Sequence, residues 1–180
     1  MISEKIIGKI KTALTSDELN KLHSLAKQAT VAIEIGSYMG ASSVAIASSG
    51  LQCLYCVDIW VSNTRLRPDP TDGKTLFETF TENTKEYTNV HPVVGYSQEV
   101  IRFFLNENIC PDLLFIDGDH SYEGAKQDFD LYFPIVKEGG LVVFHDYSFP
   151  TVRKVIQEEV ISKTVNHNNL PNMWWGRKKS

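Results

Sequence analysis

Five short apolar runs alternate with segments of helical periodicity along this chain, and this alternation restricts the fold more than any other feature. The runs predict strands at residues 31–35, 54–57, 90–94, 113–116 and 141–144. The intervening patterns predict helices at residues 41–49, 75–87, 98–105, 122–133 and 152–160. Such alternation is typical of a parallel sheet with helices on both faces. We therefore predict an α/β three-layer sandwich, with weaker strands at 163–165 and 173–175 completing a mostly parallel sheet of about seven strands.

The sequence also indicates where two of the helices begin. Thr15 and Glu18 form a capping-box pattern ahead of leucines at helical spacing, which predicts a helix to about residue 28. Ser97 is expected to cap the helix at residues 98–105. The length of 180 residues fits one domain, with a helical segment at 1–29 and a core at 30–180.

The charge balance argues against a nucleic-acid partner. The net charge is −4, and the one basic cluster, at residues 177–179, is expected to be a solvated tail. Proteins that bind nucleic acid through phosphate contacts normally carry a basic face. The sequence therefore predicts neither DNA nor RNA as a partner.

The apolar pattern and the cysteines predict where the chain resides. No run of about 18 apolar residues occurs and no leader pattern is present, so we expect a cytoplasmic protein that does not enter a membrane. Cys53 and Cys56 form a C-x-x-C, but positions of opposite parity on a strand face opposite sides. The sequence therefore predicts no disulfide framework and no zinc or redox site.

Polar segments follow each predicted strand, and most of them contain an acid. They lie at residues 34–40, 58–60, 95–98, 117–120 and 145–147. Ligands of open parallel sheets bind at the carboxyl ends of the strands. We therefore expect the functional site at this edge of the sheet.

The first of these segments has glycines at Gly36 and Gly40, a G-x-x-x-G spacing that differs from the dinucleotide fingerprint G-x-G-x-x-G. Glycines allow a tight turn and close approach to a ligand. Asp58, at the end of the second strand, is placed to accept hydrogen bonds from ribose hydroxyls. The alternative for Asp58 is an ordinary loop carboxylate or helix cap.

Three segments resemble the class I S-adenosylmethionine-dependent methyltransferases, whose fold is Rossmann-like. The first is EIGSYMGAS at 34–42, which resembles the first motif of the small-molecule O-methyltransferases. GYSQ at 95–98 resembles their adenine-side loop. The stretch from FIDGDHSYEG to GGLVVFHDY at 115–147 is similar to the subfamily that includes macrolide-sugar O-methyltransferases. The resemblance covers about residues 30–160 and implies methyl transfer to a hydroxyl of a small molecule.

The resemblance implies a set of cofactor contacts. The set is Glu34, Gly36, Ser37, Tyr38, Gly40, Ser42, Asp58, Trp60, Ser97, Gln98 and Asp117. The two glycines would pass the methionine part, with Ser42 near its carboxylate and Glu34 either near its amino group or holding the loop. Asp58 would take the ribose, and Trp60, Ser97 and Gln98 the adenine. Asp117 would lie beside the sulfonium and the acceptor.

A divalent metal is a second implication of the resemblance, since related enzymes bind one beside the transferred methyl group. The matching residues are Asp117, His145 and Asp146. Oxygen ligands suit Mg²⁺, and the imidazole, where relatives have an acid, shifts preference towards transition metals. The alternative is that the two carboxylates make only hydrogen bonds near the cofactor.

The acceptor hydroxyl needs a general base, and His120 is the first candidate because its ordinary pKa is near neutral. Asp119 is the second candidate, and a helix-start contact is the alternative for His120. Two other functions stay open: an NAD-dependent oxidoreductase, which the absence of G-x-G-x-x-G disfavours, and a cofactor-binding module without catalysis.

The acceptor cannot be named from the sequence. Arg65 and Arg67, in the polar loop 61–74, would suit an acidic acceptor if the loop is a lid, and the alternative is a solvated loop. Trp174 and Trp175 either line a pocket or pack in the core. The acceptor pocket is either open or completed by a second copy of the chain, which would make the protein a homo-oligomer.

Overall fold

A computed structural model describes residues 9–61 and 73–180, in which seven strands form one sheet. The strands are β1 (Val31–Ile35), β2 (Cys53–Asp58), β3 (Val90–Val94), β4 (Leu113–Ile116), β5 (Leu141–His145), β6 (Thr164–Leu170) and β7 (Met173–Lys178). Their order is β3-β2-β1-β4-β5-β7-β6. The first five are parallel, and β7 runs antiparallel between β5 and β6. The predicted α/β fold, with a mostly parallel sheet of about seven strands, is confirmed.

Within the described ranges, six α-helices connect and flank these strands. They are α1 (Ser16–Ala26), α2 (Ala41–Ala47), α3 (Leu76–Thr84), α4 (Ser97–Asn106), α5 (Tyr122–Tyr132) and α6 (Pro150–Val155). The last continues as a π-helical turn, Ile156–Val160, and a 3₁₀ turn, Ile161–Lys163. The helix expected at 152–160 is therefore shorter as an α-helix, and it begins earlier because Pro150 suits a first helical turn.

The two helix-start predictions have different outcomes. Thr15 and Glu18 make both bonds of a capping box at the start of α1, as predicted. Ser97 is wrong as a cap, since it is the first residue of α4 and Tyr96 occupies the capping position without a side-chain bond. The Ser97 hydroxyl donates instead to the carboxylate of Asp128 on α5.

The core lies on both faces of the sheet because side chains alternate along each strand. On one face, residues such as Ala32 and Leu54 pack with the buried side chains of α1, α2 and α3. On the other face, Ile33 packs with those of α4, α5 and α6. Trp174 and Trp175 are 3% and 9% exposed and belong to opposite faces, so they pack in the core.

The order of strands creates a switch point beside β1. The chain leaves β1 to form β2 and β3 on one side, then returns to form β4 and β5 on the other. Loops that follow β1, β2, β4 and β5 meet at this edge, where ligands of open sheets bind.

Arg65 and Arg67, considered above as contacts for an acidic acceptor, lie outside the described residues. In the described part of the chain, no helix combines the length and apolar character needed to cross a membrane.

Candidate active site

A cavity of about 790 Å³ opens at the carboxyl edge of the sheet. Its size falls within the range of about 300–1,000 Å³ that is usual for small-molecule sites. Residues at or just after the carboxyl ends of β1, β2, β4 and β5 line it, together with the start of α2, the segment before α1 and a residue before β7. These are Lys11, Thr12, Ala13, Leu14, Gly36, Ser37, Tyr38, Met39, Ala41, Ser42, Asp58, Asp117, Gly118, Asp119, His120, Ser121, His145, Asp146, Phe149 and Asn172.

The two glycines of the first loop are needed for different physical reasons. Gly36 has φ +87°, and a Cβ there would lie 2.1 Å from the carbonyl oxygen of Asp117. The loop after β1 can therefore approach the end of β4 only with glycine at this position. Gly40, with φ +90°, would direct a Cβ towards Phe80 and Thr84 of α3, and it is not among the cavity-lining residues. Gly40 thus serves the start of α2 and its packing against α3.

Asp58 holds the first loop while it lines the cavity. Its Oδ2 accepts hydrogen bonds from the backbone N–H groups of Ser37 and Tyr38, both at 2.9 Å. Its Oδ1 accepts from the N–H of Trp60 at 2.7 Å. A carboxylate that bonds several backbone N–H groups fixes the loop around it. The end of β2 thereby sets the conformation of the loop after β1.

Trp60 supports the same loop from behind the cavity wall. Its indole N–H donates to the carbonyl oxygen of Tyr38 at 2.8 Å, and Tyr38 has the left-handed φ of 46°. The indole ring packs against Phe77 and Phe80 of α3. The structure therefore places Trp60 in the packing between loop and helix and not on the cavity wall.

Glu34 is fully buried beneath the first loop. Its carboxyl group accepts from the Ser37 hydroxyl at 2.7 Å and from the Ser43 hydroxyl. Burial raises the pKa of Glu34, although hydrogen bonds from the surrounding serines act in the opposite direction. Of the two roles considered for Glu34, its position agrees with holding the loop, because the side chain is not part of the cavity wall.

Ser97 and Gln98, expected beside the adenine, are also not among the cavity-lining residues. The Ser97 hydroxyl is bonded to Asp128, which is 4% exposed and lies next to Gly118. Burial raises the pKa of Asp128 to about 6. This buried carboxyl group therefore ties the start of α4 to α5 beneath the loop after β4.

Three side chains form the acidic end of the cavity. The Nε2 of His120 lies 2.7 Å from Oδ2 of Asp146 and 4.0 Å from Oδ1 of Asp117. One ligand atom from each of the three residues lies within 4.8 Å of the other two. The hydrogen bond to Asp146 raises the pKa of His120, although partial burial opposes it. Burial would raise the pKa of Asp146, but hydrogen bonds from His120 and His145 outweigh it and lower the value.

His145 lies behind this group and is 1% exposed in its side chain. Its Nδ1 lies 3.1 Å from Oδ1 of Asp117 and 3.4 Å from Oδ1 of Asp146, and its Nε2 lies 3.7 Å from Glu18 of α1. Burial favours the neutral ring, but the bonds to the two aspartates outweigh it and raise the pKa of His145 to about 10. The compact group is Asp117, His120 and Asp146, and His145 contacts both of its carboxylates through Nδ1.

The donor set of Asp117, His120 and Asp146 fits a divalent cation. Two carboxylates and one imidazole are ligands that Mn²⁺, Fe²⁺ or Zn²⁺ accept, whereas Mg²⁺ prefers oxygen alone. The sequence-based set of Asp117, His145 and Asp146 differs from this group by one histidine. That difference arises because the short loop after β4 turns the His120 ring back over the end of β5.

Asp119 lines the cavity beside His120 and has a structural bond as well. Its Oδ1 accepts from the N–H of Ser121 at 2.8 Å, and the Ser121 side chain in turn caps α5. The carbonyl oxygen of His120 accepts from the Thr151 hydroxyl at 2.6 Å, and the His120 ring lies 5.3 Å from that of Phe149. The loop after β4 is therefore fixed at several points.

Several wall residues carry no signal in the sequence. Residues 11–14 precede α1, and nothing in their pattern indicates that they reach the carboxyl edge of the sheet. Phe149 and Asn172 likewise lie in turns without a recognisable motif. Glu18 is predicted as the capping-box partner of Thr15, but its contact with His145 of β5 follows from the packing of α1 and not from any local pattern. All of these positions follow from tertiary packing.

Comparisons with known proteins agree with the resemblance seen in the motifs. Residues 33–147 match a family described as a methyltransferase domain. An uncharacterized protein of Acanthamoeba polyphaga mimivirus is 35% identical over a match that covers 43% of this chain and 43% of that protein. The match thus spans less than half of the length of that curated relative.

Solved structures share the fold at low sequence identity. An O-methyltransferase from Bacillus cereus in complex with SAH has a TM-score of 0.70 at 12% identity, covering 97% of this chain and 84% of that one. The O-methyltransferase TomG from Streptomyces achromogenes, in complex with SAM, has a TM-score of 0.68 at 16% identity, covering 93% and 82%. CalS11, a calicheamicin methyltransferase, has a TM-score of 0.64 at 17% identity, covering 88% and 76%. These likenesses establish the fold, and because the family match extends over more than half of the sequence, the chain belongs to the methyltransferase-domain family.

Proposed function

We propose that this protein is an S-adenosylmethionine-dependent methyltransferase that acts on a hydroxyl group of a small molecule. The observation that carries the proposal is that two groups of residues line the same cavity. The loop held by Asp58 lines one part of the wall, and the group of Asp117, His120 and Asp146 lines another. In a chain of the methyltransferase family, this arrangement supports a cofactor-binding role for the loop and an acid–base role for the group beside it.

The cofactor is proposed to lie along the first loop. Gly36, Ser37, Tyr38 and Ser42 line the cavity there, and Asp58 is proposed to accept hydrogen bonds from the ribose hydroxyls. Gly36 supports this assignment, because a side chain at that position would separate the loop from the end of β4. When bound, S-adenosylmethionine supplies a methyl group that a nucleophilic oxygen can attack.

The acceptor is proposed to lie at the acidic end of the cavity, between the segment of residues 11–14 and Phe149. His120 is 34% exposed in its side chain, so an acceptor can reach it. Since Asp146 engages Nε2 of His120, we assign proton abstraction to Nδ1 of the same ring. Asp146 then orients the base and stabilises its charged form, as a carboxylate does in other histidine-based sites.

A divalent cation is proposed as an alternative occupant of the same group. Asp117, His120 and Asp146 would hold it, and when bound it would lower the pKa of the acceptor hydroxyl and orient its oxygen. An imidazole that binds a cation through Nε2 keeps its proton on Nδ1 and cannot accept another. The two roles of His120 therefore exclude each other, and Asp119 is the proposed base when the cation is present.

The first test is calorimetric titration with S-adenosylmethionine and, separately, with NAD⁺. We expect binding of S-adenosylmethionine in the micromolar range and no heat with NAD⁺. Asp58→Asn should weaken the binding at least about tenfold, equivalent to about 1.4 kcal/mol. Asp17→Asn, a change of an exposed acid on α1, is the matched control and should bind like the parent. Binding of NAD⁺ alone would favour the oxidoreductase alternative, and no binding of S-adenosylmethionine would refute the proposal.

The second test separates an enzyme from a cofactor-binding module. A panel of hydroxyl-bearing small molecules is incubated with the protein and S-adenosylmethionine, and S-adenosylhomocysteine is measured. Turnover with at least one acceptor, lowered about 100-fold or more in His120→Gln, supports catalysis. Tight cofactor binding without turnover on any acceptor would favour the module.

A further inference from the structure

Asn172 lies in the turn between β6 and β7 and bridges to the segment that follows β5. Its Nδ2 donates to Oδ1 of Asp146 at 3.1 Å. Its Oδ1 accepts from the backbone N–H of Ser148 at 3.0 Å and from the Ser148 hydroxyl. Because the amide oxygen must face the N–H of Ser148, the amide nitrogen must face Asp146. The orientation of the Asn172 side chain is thereby determined by its partners.

Asp146, the partner of Asn172, combines a left-handed backbone with a nearly buried carboxylate. It has φ +55°, in the left-handed region that residues with a side chain rarely adopt. Its carboxylate is only 9% exposed, and its two oxygens have separate partners. Oδ2 contacts His120, whereas Oδ1 takes the bond from Asn172 and lies 3.4 Å from His145.

The backbone of Asn172 adds a further contact, since its carbonyl oxygen accepts from the N–H of Tyr147 at 3.2 Å. Three consecutive residues after β5, Asp146 to Ser148, are therefore bonded to this one turn residue. Asn169, on the same hairpin, bonds instead to the neighbouring carbonyl oxygen of Leu170 and is not a cavity-lining residue.

We propose that Asn172 is a positioning residue, which fixes the Asp146 carboxylate so that Oδ2 faces His120 in the cavity. The proposal rests on the proposed function insofar as it gives Asn172 a part in catalysis. Asn172 acts through Asp146, and its expected effect falls on the chemical step and not on the binding of S-adenosylmethionine, which is assigned to the first loop.

Crystal structures of two Asn172 variants and one control test the positioning directly. In Asn172→Ala, we expect the separation between Oδ2 of Asp146 and Nε2 of His120 to exceed hydrogen-bonding distance. Asn172→Asp keeps the acceptor for Ser148 and has nearly the same shape, but its carboxylate cannot donate to Oδ1 of Asp146, so it should open the same contact. Asn169→Ala should leave the contact at 2.7 Å. A contact that persists in both Asn172 variants would overturn the proposal.

Kinetics with the parent and the same variants give the second readout. We expect kcat of both Asn172 variants to fall about tenfold or more, as is usual when a partner that orients a functional side chain is lost. The KM for S-adenosylmethionine and both parameters of Asn169→Ala should stay unchanged. If the parent fails to bind S-adenosylmethionine, the proposed function is refuted, while the crystal structures still decide whether Asn172 positions Asp146. If Asn172→Ala does not fold, the near-isosteric Asn172→Asp decides it.

Discussion

Nε2 of His120 lies 2.7 Å from Oδ2 of Asp146, although the two residues follow different strands. β4 and β5 are parallel neighbours, so their carboxyl ends open at the same edge. The left-handed backbone of Asp146 turns its carboxylate towards the ring instead of continuing along β5. Residues 26 positions apart thus form one acid–base pair at the cavity wall.

The contact between His120 and Asp146 leads to a prediction for the removal of His120, the proposed general base. His120→Gln should lower kcat about 100-fold or more, because general bases contribute about 10²–10⁴-fold. Binding of S-adenosylmethionine should not change, since the first loop is untouched. His91→Gln, on the exposed face of β3, is the matched control and should keep full activity. Equal kcat in parent and His120→Gln would exclude His120 as the base and leave Asp119.

Titration with Mn²⁺ distinguishes the two candidate cation sites. We expect Mn²⁺ to bind, and both Asp117→Asn and His120→Gln to weaken its affinity about tenfold or more, because each removes a direct ligand. Glu123→Gln, an exposed acid on α5, should bind like the parent. If instead His145→Gln weakens binding and His120→Gln does not, the set expected from the sequence is the correct one. No binding in the parent would remove the cation from the proposal.

Two glycines with the same backbone conformation give a matched test of the first loop. Gly36 and Gly50 have φ of +87° and +90°, so alanine at either position costs about 1–2 kcal/mol for the left-handed backbone. A Cβ at Gly50 meets nothing within 4 Å, whereas one at Gly36 meets Asp117. Gly36→Ala should therefore lower the free energy of unfolding by at least about 2 kcal/mol more than Gly50→Ala. Urea unfolding measures both, and equal losses would contradict the close approach.

Asp128 predicts a pH dependence of stability. Its pKa is raised from 3.8 to about 6 by burial, so the folded state binds this proton more tightly than the unfolded chain does. The resulting stabilisation is complete below about pH 4 and is lost as the pH rises through 6, with an upper limit of about 3 kcal/mol. Asp128→Asn should remove this part of the pH dependence. Urea unfolding at pH 4.5 and 7.5 measures it.

The control for Asp128 is Asp130→Asn, a change of an acid on the same helix that pairs with Lys126 at the surface. It should retain the pH dependence of the parent. Identical pH dependence in the parent and Asp128→Asn would show that burial does not raise the pKa of Asp128.

The central strands β1, β4 and β5 could be predicted because they are apolar and buried on both faces of the sheet, whereas the edge strand β3 was found from its valines. β1, β3 and β4 begin and end at the predicted residues, since a glycine or polar residue stops each apolar run. β6 extends to Leu170, well beyond the predicted 163–165. The prediction stopped too early because residues 166–169 are polar and exposed and show no apolar alternation. Its strand conformation comes from pairing with β7 and not from local sequence.

The site could be predicted where it follows a strand end and not where it depends on packing between distant segments. Asp58, Asp117, Asp119, His120 and Asp146 lie on the cavity wall because parallel strands bring their ends together. Position at a strand end gives no information on side-chain direction, so it does not distinguish His120 from His145 as the partner of the two carboxylates. The resemblance implied His145, whereas the compact group contains His120. Trp60 and Gly40 contact α3 and do not line the cavity. This could not be predicted, because no local sequence pattern indicates where α3 packs.

Glu18 gives the start of α1 an evolutionary constraint. Its Oε2 accepts from the backbone N–H and hydroxyl of Thr15 and lies 3.7 Å from Nε2 of His145. Glutamine serves equally well at this position of an ordinary capping box. Here glutamate, unlike glutamine, also places a negative charge beside His145. We therefore expect residues 18 and 145 to vary together among homologues, because this contact links the start of α1 to the acidic end of the cavity.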